Sequence, residues 1–108
     1  MILIKKNEGT YIKHMLTGTE LSLKDDELTI ELSACQRNYP VHIDISENAS
    51  GMLVIGPSCR YIAEIDIPAC EYTIVKGEAD NFGFPTLSKA IVPLDADKVS
   101  LTLWALEV

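Results

Sequence analysis

The sequence predicts an all-β chain: an antiparallel β-sandwich of jelly-roll type, or a small barrel, with about 8 to 10 short strands. Three observations carry that prediction. In ELTIELSA (27–34), Leu28, Ile30, Leu32 and Ala34 alternate with Glu27, Thr29, Glu31 and Ser33. In PVHIDIS (40–46), Val41, Ile43 and Ile45 alternate with His42 and Asp44, and in RYIAEIDI (60–67), Tyr61, Ala63, Ile65 and Ile67 alternate with Glu64 and Asp66. A period of two puts one set of side chains on a buried face and the other in water, whereas a helix needs a stripe at every third or fourth residue.

Taken in chain order, the further strands expected are Met1–Lys5, Tyr11–Met15, Glu20–Leu23, Gly51–Ile55, Cys70–Val75, Leu87–Val92 and Val99–Glu107. Between them lie NEG, TGT, KDD, RNYP, SENASG, GPS, the GEADNFGFP segment and DADK, all rich in residues that form turns. The segment 20–36 is the best helical candidate, but Thr29 and Ile30 keep strand rhythm, so no helix is expected there. Pro68 in IPAC cannot donate to a ladder, and it predicts a bend that carries one long strand round a corner. DADK reads as a hairpin turn with Asp side chains capping backbone amides. One domain spanning 1–108 is expected, because no linker, repeat or low-complexity stretch divides the chain.

Composition narrows the function classes. With 47% hydrophobic residues the chain has enough apolar surface to pack a core, which excludes disorder. Nine basic against sixteen acidic residues give a formal charge of -7, and the only adjacent basic pair is Lys5-Lys6. Nucleic acid and anionic membranes are therefore not expected partners, since both demand clustered cations. The start MILIKKNEG is apolar before it is basic, the reverse of a secretory leader, and Cys35, Cys59 and Cys70 are an odd number without a CxxC pair. The expected setting is the cytoplasm, or a phage particle.

Each possible chemistry has an ordinary counterpart. Cys35, Cys59, Cys70, His14 and His42 contain no closely spaced ligand pair for zinc, and the thiols read as small buried side chains. His42 and Asp44 share an outer face, and Glu31 or Glu64 on a neighbouring strand would complete a patch for a divalent ion, but an ordinary solvated strand face is the expected reading. A cupin-like metal enzyme takes an HxH pair, a glutamate and a third histidine, which two histidines cannot supply. Ser58 and Cys59 in IGPSCRY lack the second glycine of a nucleophile elbow and a placed base. Asp80 with Asn81, and Asp95 with Asp97, offer too few oxygens for calcium. No catalytic residue, metal or cofactor is assigned.

Interaction residues stand out more. Phe82 and Phe84, the only phenylalanines, lie in KGEADNFGFPT (76–86), which reads as a long loop; they are expected to cap an open end of the sandwich or, alternatively, to touch a partner. Trp104, Leu106 and Val108 give the closing segment apolar character on both faces, matching MILI at the other terminus. Either the two ends pair within one subunit, or they meet a second copy. The expected function is a non-catalytic structural, assembly or protein-interaction module, homo-oligomeric, of the kind found in phage or prophage particles, with Phe82, Phe84, Trp104, Leu106 and Val108 at its interface. The alternative is a module that binds carbohydrate or another small ligand through Tyr11, Tyr39, Tyr61, Tyr72 and Trp104.

Overall fold

The computed structural model describes residues 1–106 and is all-β, with ten strands among those residues. Strands β1 (Ile2–Lys5), β10 (Ser100–Leu103), β7 (Arg60–Ile67), β5 (Val41–Glu47) and β6 (Leu53–Ile55) bond in that order into one sheet. Strands β2 (His14–Thr17), β3 (Glu20–Leu23) and β4 (Leu28–Glu31) form a second, antiparallel sheet. Strands β8 (Tyr72–Ala79) and β9 (Pro85–Ile91) pair only with each other. The five-stranded sheet ends on β1 at one side and β6 at the other, so it does not close into a barrel.

The alternation seen in the sequence builds the core directly. Register aligns Leu101 with Ile65 and Ile43, and Leu103 with Ala63 and Ile45, on one face of the five-stranded sheet. These side chains share one cluster with Leu21, Leu23 and Ile30 of the three-stranded sheet, and with Leu32 just beyond it. Complete burial of each such aliphatic side chain contributes about 1.5–3 kcal/mol, so the period-two residues of β3, β5, β7 and β10 hold the two sheets together.

Several expectations need correction. A register shift between Ile45 and Ser46 inserts a bulge, and this changes the phase of β7: Ile62 and Ala63 are both buried, and Tyr61 turns outward instead of joining the core. The strand expected over 27–34 stops at Glu31. Its carboxylate accepts hydrogen bonds from the Thr19 and Ser33 hydroxyls, and Leu32–Cys35 close one helical turn, α1, that keeps Leu32 buried. The termini do pair within the subunit, but β1 runs parallel to β10, whereas antiparallel pairing was expected. DADK does not make a hairpin; Ala96–Lys98 form a single 3-10 turn joining β9 to a strand in another sheet, and Asp95 Oδ1 accepts from the Asp97 amide at 3.0 Å, as its capping role predicts.

The largest difference lies at 76–86. Only Asp80–Phe84 is turn; the flanking residues extend β8 and β9 into a long two-stranded ribbon. Pro68 does not carry one long strand round a corner: β7 ends at Ile67, and after residues 68–71 the chain has left the five-stranded sheet and enters this ribbon. The ribbon makes the molecule elongated, 68 × 23 × 21 Å, with a radius of gyration of 18.8 Å where a compact chain of about 100 residues measures about 13 Å.

Candidate functional site

The ribbon is the most unusual surface of the molecule. Every residue of β8 and β9 is exposed except Ala90, which is half-buried. Directly opposed residues of antiparallel strands share a face, so the pairs Tyr72 with Ile91, Ile74 with Lys89 and Lys76 with Leu87 place four large apolar side chains and two lysines on one side. The pairs Thr73 with Ala90 and Val75 with Ser88 form the other, smaller side.

Its tip is tightly organised. The Asp80 carbonyl accepts from the Gly83 amide at 3.0 Å, and the Asp80 amide donates to the Phe84 carbonyl at 2.7 Å. One oxygen of the Asp80 carboxylate accepts from the amides of both Phe82, at 2.8 Å, and Phe84, at 3.0 Å. Gly83 takes φ +80°, the left-handed conformation that a tight turn of this kind assigns to glycine. With the backbone held this way, Phe82 and Phe84 stand outward, 84% and 67% exposed. They cap nothing in their own chain, which removes the capping role expected for them.

Gly77 lies where the ribbon register shifts between Lys76 and Ala79. A Cβ built there would collide with Thr86 Oγ1, and that hydroxyl is engaged with the Glu78 carbonyl at 2.9 Å. Glycine therefore lets the two strands approach closely at the bulge.

The other expected interface residues lie elsewhere. The Trp104 amide bonds the Ile62 carbonyl at 3.0 Å, near the start of β7, while the ribbon departs after the end of β7. Trp104 is half-buried and its indole N–H donates to Glu64 at 2.9 Å. Leu106 is half-buried against the core, and its carbonyl accepts from Arg60 at 2.5 Å. Their own chain thus covers much of both side chains. Val108 lies outside the described residues.

A second concave feature sits beside β1. Leu3, Tyr11, Ile12, Met15 and Leu103 supply the apolar lining of a groove of about 590 Å³, with Lys5, Lys13, His14, Asp25 and Asp26 among its polar groups. Lys5 Nζ stands 5.1 Å from the centre of the Tyr11 ring. Lys24, Asp25 and Asp26 all have positive φ, 53°, 53° and 67°, so the turn beside this groove is a strained left-handed run. Of the five aromatics considered for ligand stacking, only Tyr11 lines the groove; Tyr72 is on the ribbon, and Tyr39 and Tyr61 are exposed.

The histidine patch is real, but the sequence named only part of it. His42 Nε2 lies 2.7 Å from Asp44 and 3.5 Å from Glu64, and Nδ1 lies 2.6 Å from Asp66. Register explains the set: His42 opposes Asp66, and Asp44 opposes Glu64, on the outer face of β5 and β7. Glu31 takes no part; the Thr19 and Ser33 hydroxyls hold its carboxyl below the usual range. Hydrogen bonding first to Asp66 and then to Asp44 raises the His42 pKa. Carboxylates at both ring nitrogens favour the imidazolium, which donates from each nitrogen. His42, Asp44 and Glu64 each bring one ligand atom within 4.8 Å of the others, a spacing that could hold a metal ion, and with Asp66 they form one hydrogen-bonded network around the ring.

The cysteines do not meet. Cys35 and Cys70 are half-buried and Cys59 is exposed, so none is the fully buried thiol expected. Among the described residues, no cysteine joins a histidine or carboxylate in a metal-sized cluster. No helix there is long and apolar enough to cross a membrane.

Compared with protein-family models, with curated proteins and with solved structures, the chain matches none. The functional reading therefore rests on the surface itself.

Proposed function

We propose that the chain is a non-catalytic assembly module: a small β-sandwich, its five- and three-stranded sheets facing each other across one core, that homo-oligomerises through a projecting β-ribbon. The observation that carries this reading is the ribbon's exposure. Seven of its side chains, Tyr72, Ile74, Val75, Phe82, Phe84, Leu87 and Ile91, are large, apolar and exposed. A two-stranded hairpin alone is at best marginally stable in water, and this much exposed apolar surface on one ribbon marks a site of contact. The tip is pre-organised by Asp80, which lowers the entropy lost when it docks. An elongated subunit with one projecting arm suits the repeated lattices of virions and phage tails, where arms reach neighbouring subunits.

The test is solution mass as a function of concentration. The wild-type chain is expected to associate, and Phe82→Ser/Phe84→Ser is expected to remain monomeric with an unchanged melting transition. A wild-type chain that stays monomeric at millimolar concentration contradicts the proposal.

A further inference from the structure

Resting on that reading of the ribbon, we propose that its receptor is the groove beside β1 of a second copy of this chain. Phe82 and Phe84 of one copy enter between Leu3, Tyr11, Met15 and Leu103 of the next, and Glu78 near the tip meets Lys5.

The groove fits this occupant in size and chemistry. Its volume of about 590 Å³ falls within the range of about 300–1,000 Å³ typical of sites that enclose compact organic groups. Its apolar floor and the Lys5 ammonium match a tip that offers two aromatic rings flanked by acidic Glu78 and Asp80. Among the described residues neither Lys5 nor Glu78 has an ion-pair partner, whereas Lys13 is already paired with Asp25 at 3.6 Å. Lys5 stands over the Tyr11 ring without a carboxylate partner, while the two aspartates of the groove are engaged, Asp25 by Lys13 and Asp26 by the Ser22 hydroxyl. The Lys5 ammonium therefore complements the Glu78 carboxylate, and phenylalanine faces also attract it.

In the structure the tip does not occupy its own groove, which no ribbon residue lines. The ribbon leaves the five-stranded sheet after Ile67, and eight extended residues carry it about 26 Å. Its phenylalanines remain uncovered in the isolated chain. The two rings supply roughly 300 Å² of the roughly 800 Å² per partner that a stable contact buries. Ile74 and Leu87, exposed on one side of the ribbon, supply further apolar surface.

Because tip and groove are different surfaces, complementation between two defective variants tests the pairing. One variant carries Phe82→Ser/Phe84→Ser with the groove intact; the other carries Met15→Glu, at a position 67% exposed, with the tip intact. Each alone is expected to self-associate at least about tenfold more weakly than the wild type, and an equimolar mixture is expected to form a 1:1 complex. Lys5→Glu is expected to weaken association in the same way, and adding Glu78→Lys to restore it. Circular dichroism matching the wild type confirms that the variants are folded. If the tip variant loses association but Met15→Glu and Lys5→Glu do not, the groove is not the receptor, although the ribbon still docks. If both classes lose association and their mixture stays monomeric, the pairing is likewise overturned. A monomeric wild type removes the ribbon reading as well.

Discussion

Strands β7 and β8 follow each other in the chain, have the same length of eight residues, and meet opposite fates. RYIAEIDI lies in the middle of the five-stranded sheet with Ile62, Ala63, Ile65 and Ile67 buried; YTIVKGEA is exposed throughout. Both contain three β-branched residues, Ile62, Ile65 and Ile67 in the first and Thr73, Ile74 and Val75 in the second, which favour extended backbone. The difference is cover. β7 has β5 and β10 as neighbours and shares one buried cluster with residues of the three-stranded sheet, whereas β8 has only β9. Periodicity therefore specifies a strand and its two faces, but not what lies over either face.

The sharpest way to break this comparison is to truncate one isoleucine in each strand. Ile65→Ala should cost about 2–5 kcal/mol in denaturant unfolding, because it opens a cavity in a fully buried site. Ile74→Ala, at a position 69% exposed, should change the stability of the isolated subunit by less than about 0.5 kcal/mol. Equal losses would mean that the ribbon belongs to the cooperative fold.

The two bulges extend the contrast. Ser46, beside the body bulge, is fully buried and its hydroxyl has no protein hydrogen-bond partner. Ser46→Ala should stabilise the body by up to about 1 kcal/mol, read as a rise in melting temperature. At the ribbon bulge, Gly77→Val should leave that melting transition unchanged, since the Cβ clash with Thr86 is confined to the ribbon. It should instead speed amide exchange in β8 and β9.

The smallest effect is expected on the outer face of the body. The His42 pKa is raised, so its contribution is fully present below the unfolded value of about 6.5 and is lost as pH rises through the higher folded value. His42→Gln should therefore destabilise more at about pH 6 than at about pH 9. The difference should stay below about 1 kcal/mol, because the ring is exposed to solvent. A wild-type advantage that grows with pH would contradict the ion-pair assignment.

Much of the β architecture was legible where alternation was unbroken. LTIE, VHIDI and AEIDI all appear as strands with the expected inward residues. The misread phase at Tyr61 came from a bulge, which one extra residue creates without leaving a compositional mark. Parallel pairing of β1 with β10 depends on contacts between the two ends of the chain, which local patterns do not encode. The ribbon was hidden by Gly77, Glu78 and Asp80, which read as loop residues but serve as a close-approach point, strand and turn. Phe82 and Phe84 were visible as candidates because two aromatics in a polar segment are unusual; Tyr72, Ile74, Leu87 and Ile91 became recognisable only when pairing placed them on one face. Asp66 likewise joined His42 through register alone.

Amide hydrogen exchange across residues 72–91, followed from dilute to concentrated protein, probes the central idea most directly. If a second copy covers the ribbon, amides of β8 and β9 that exchange rapidly in dilute solution become protected as concentration rises, while those of β7 stay protected throughout. Rapid exchange in the ribbon at every concentration would contradict the account.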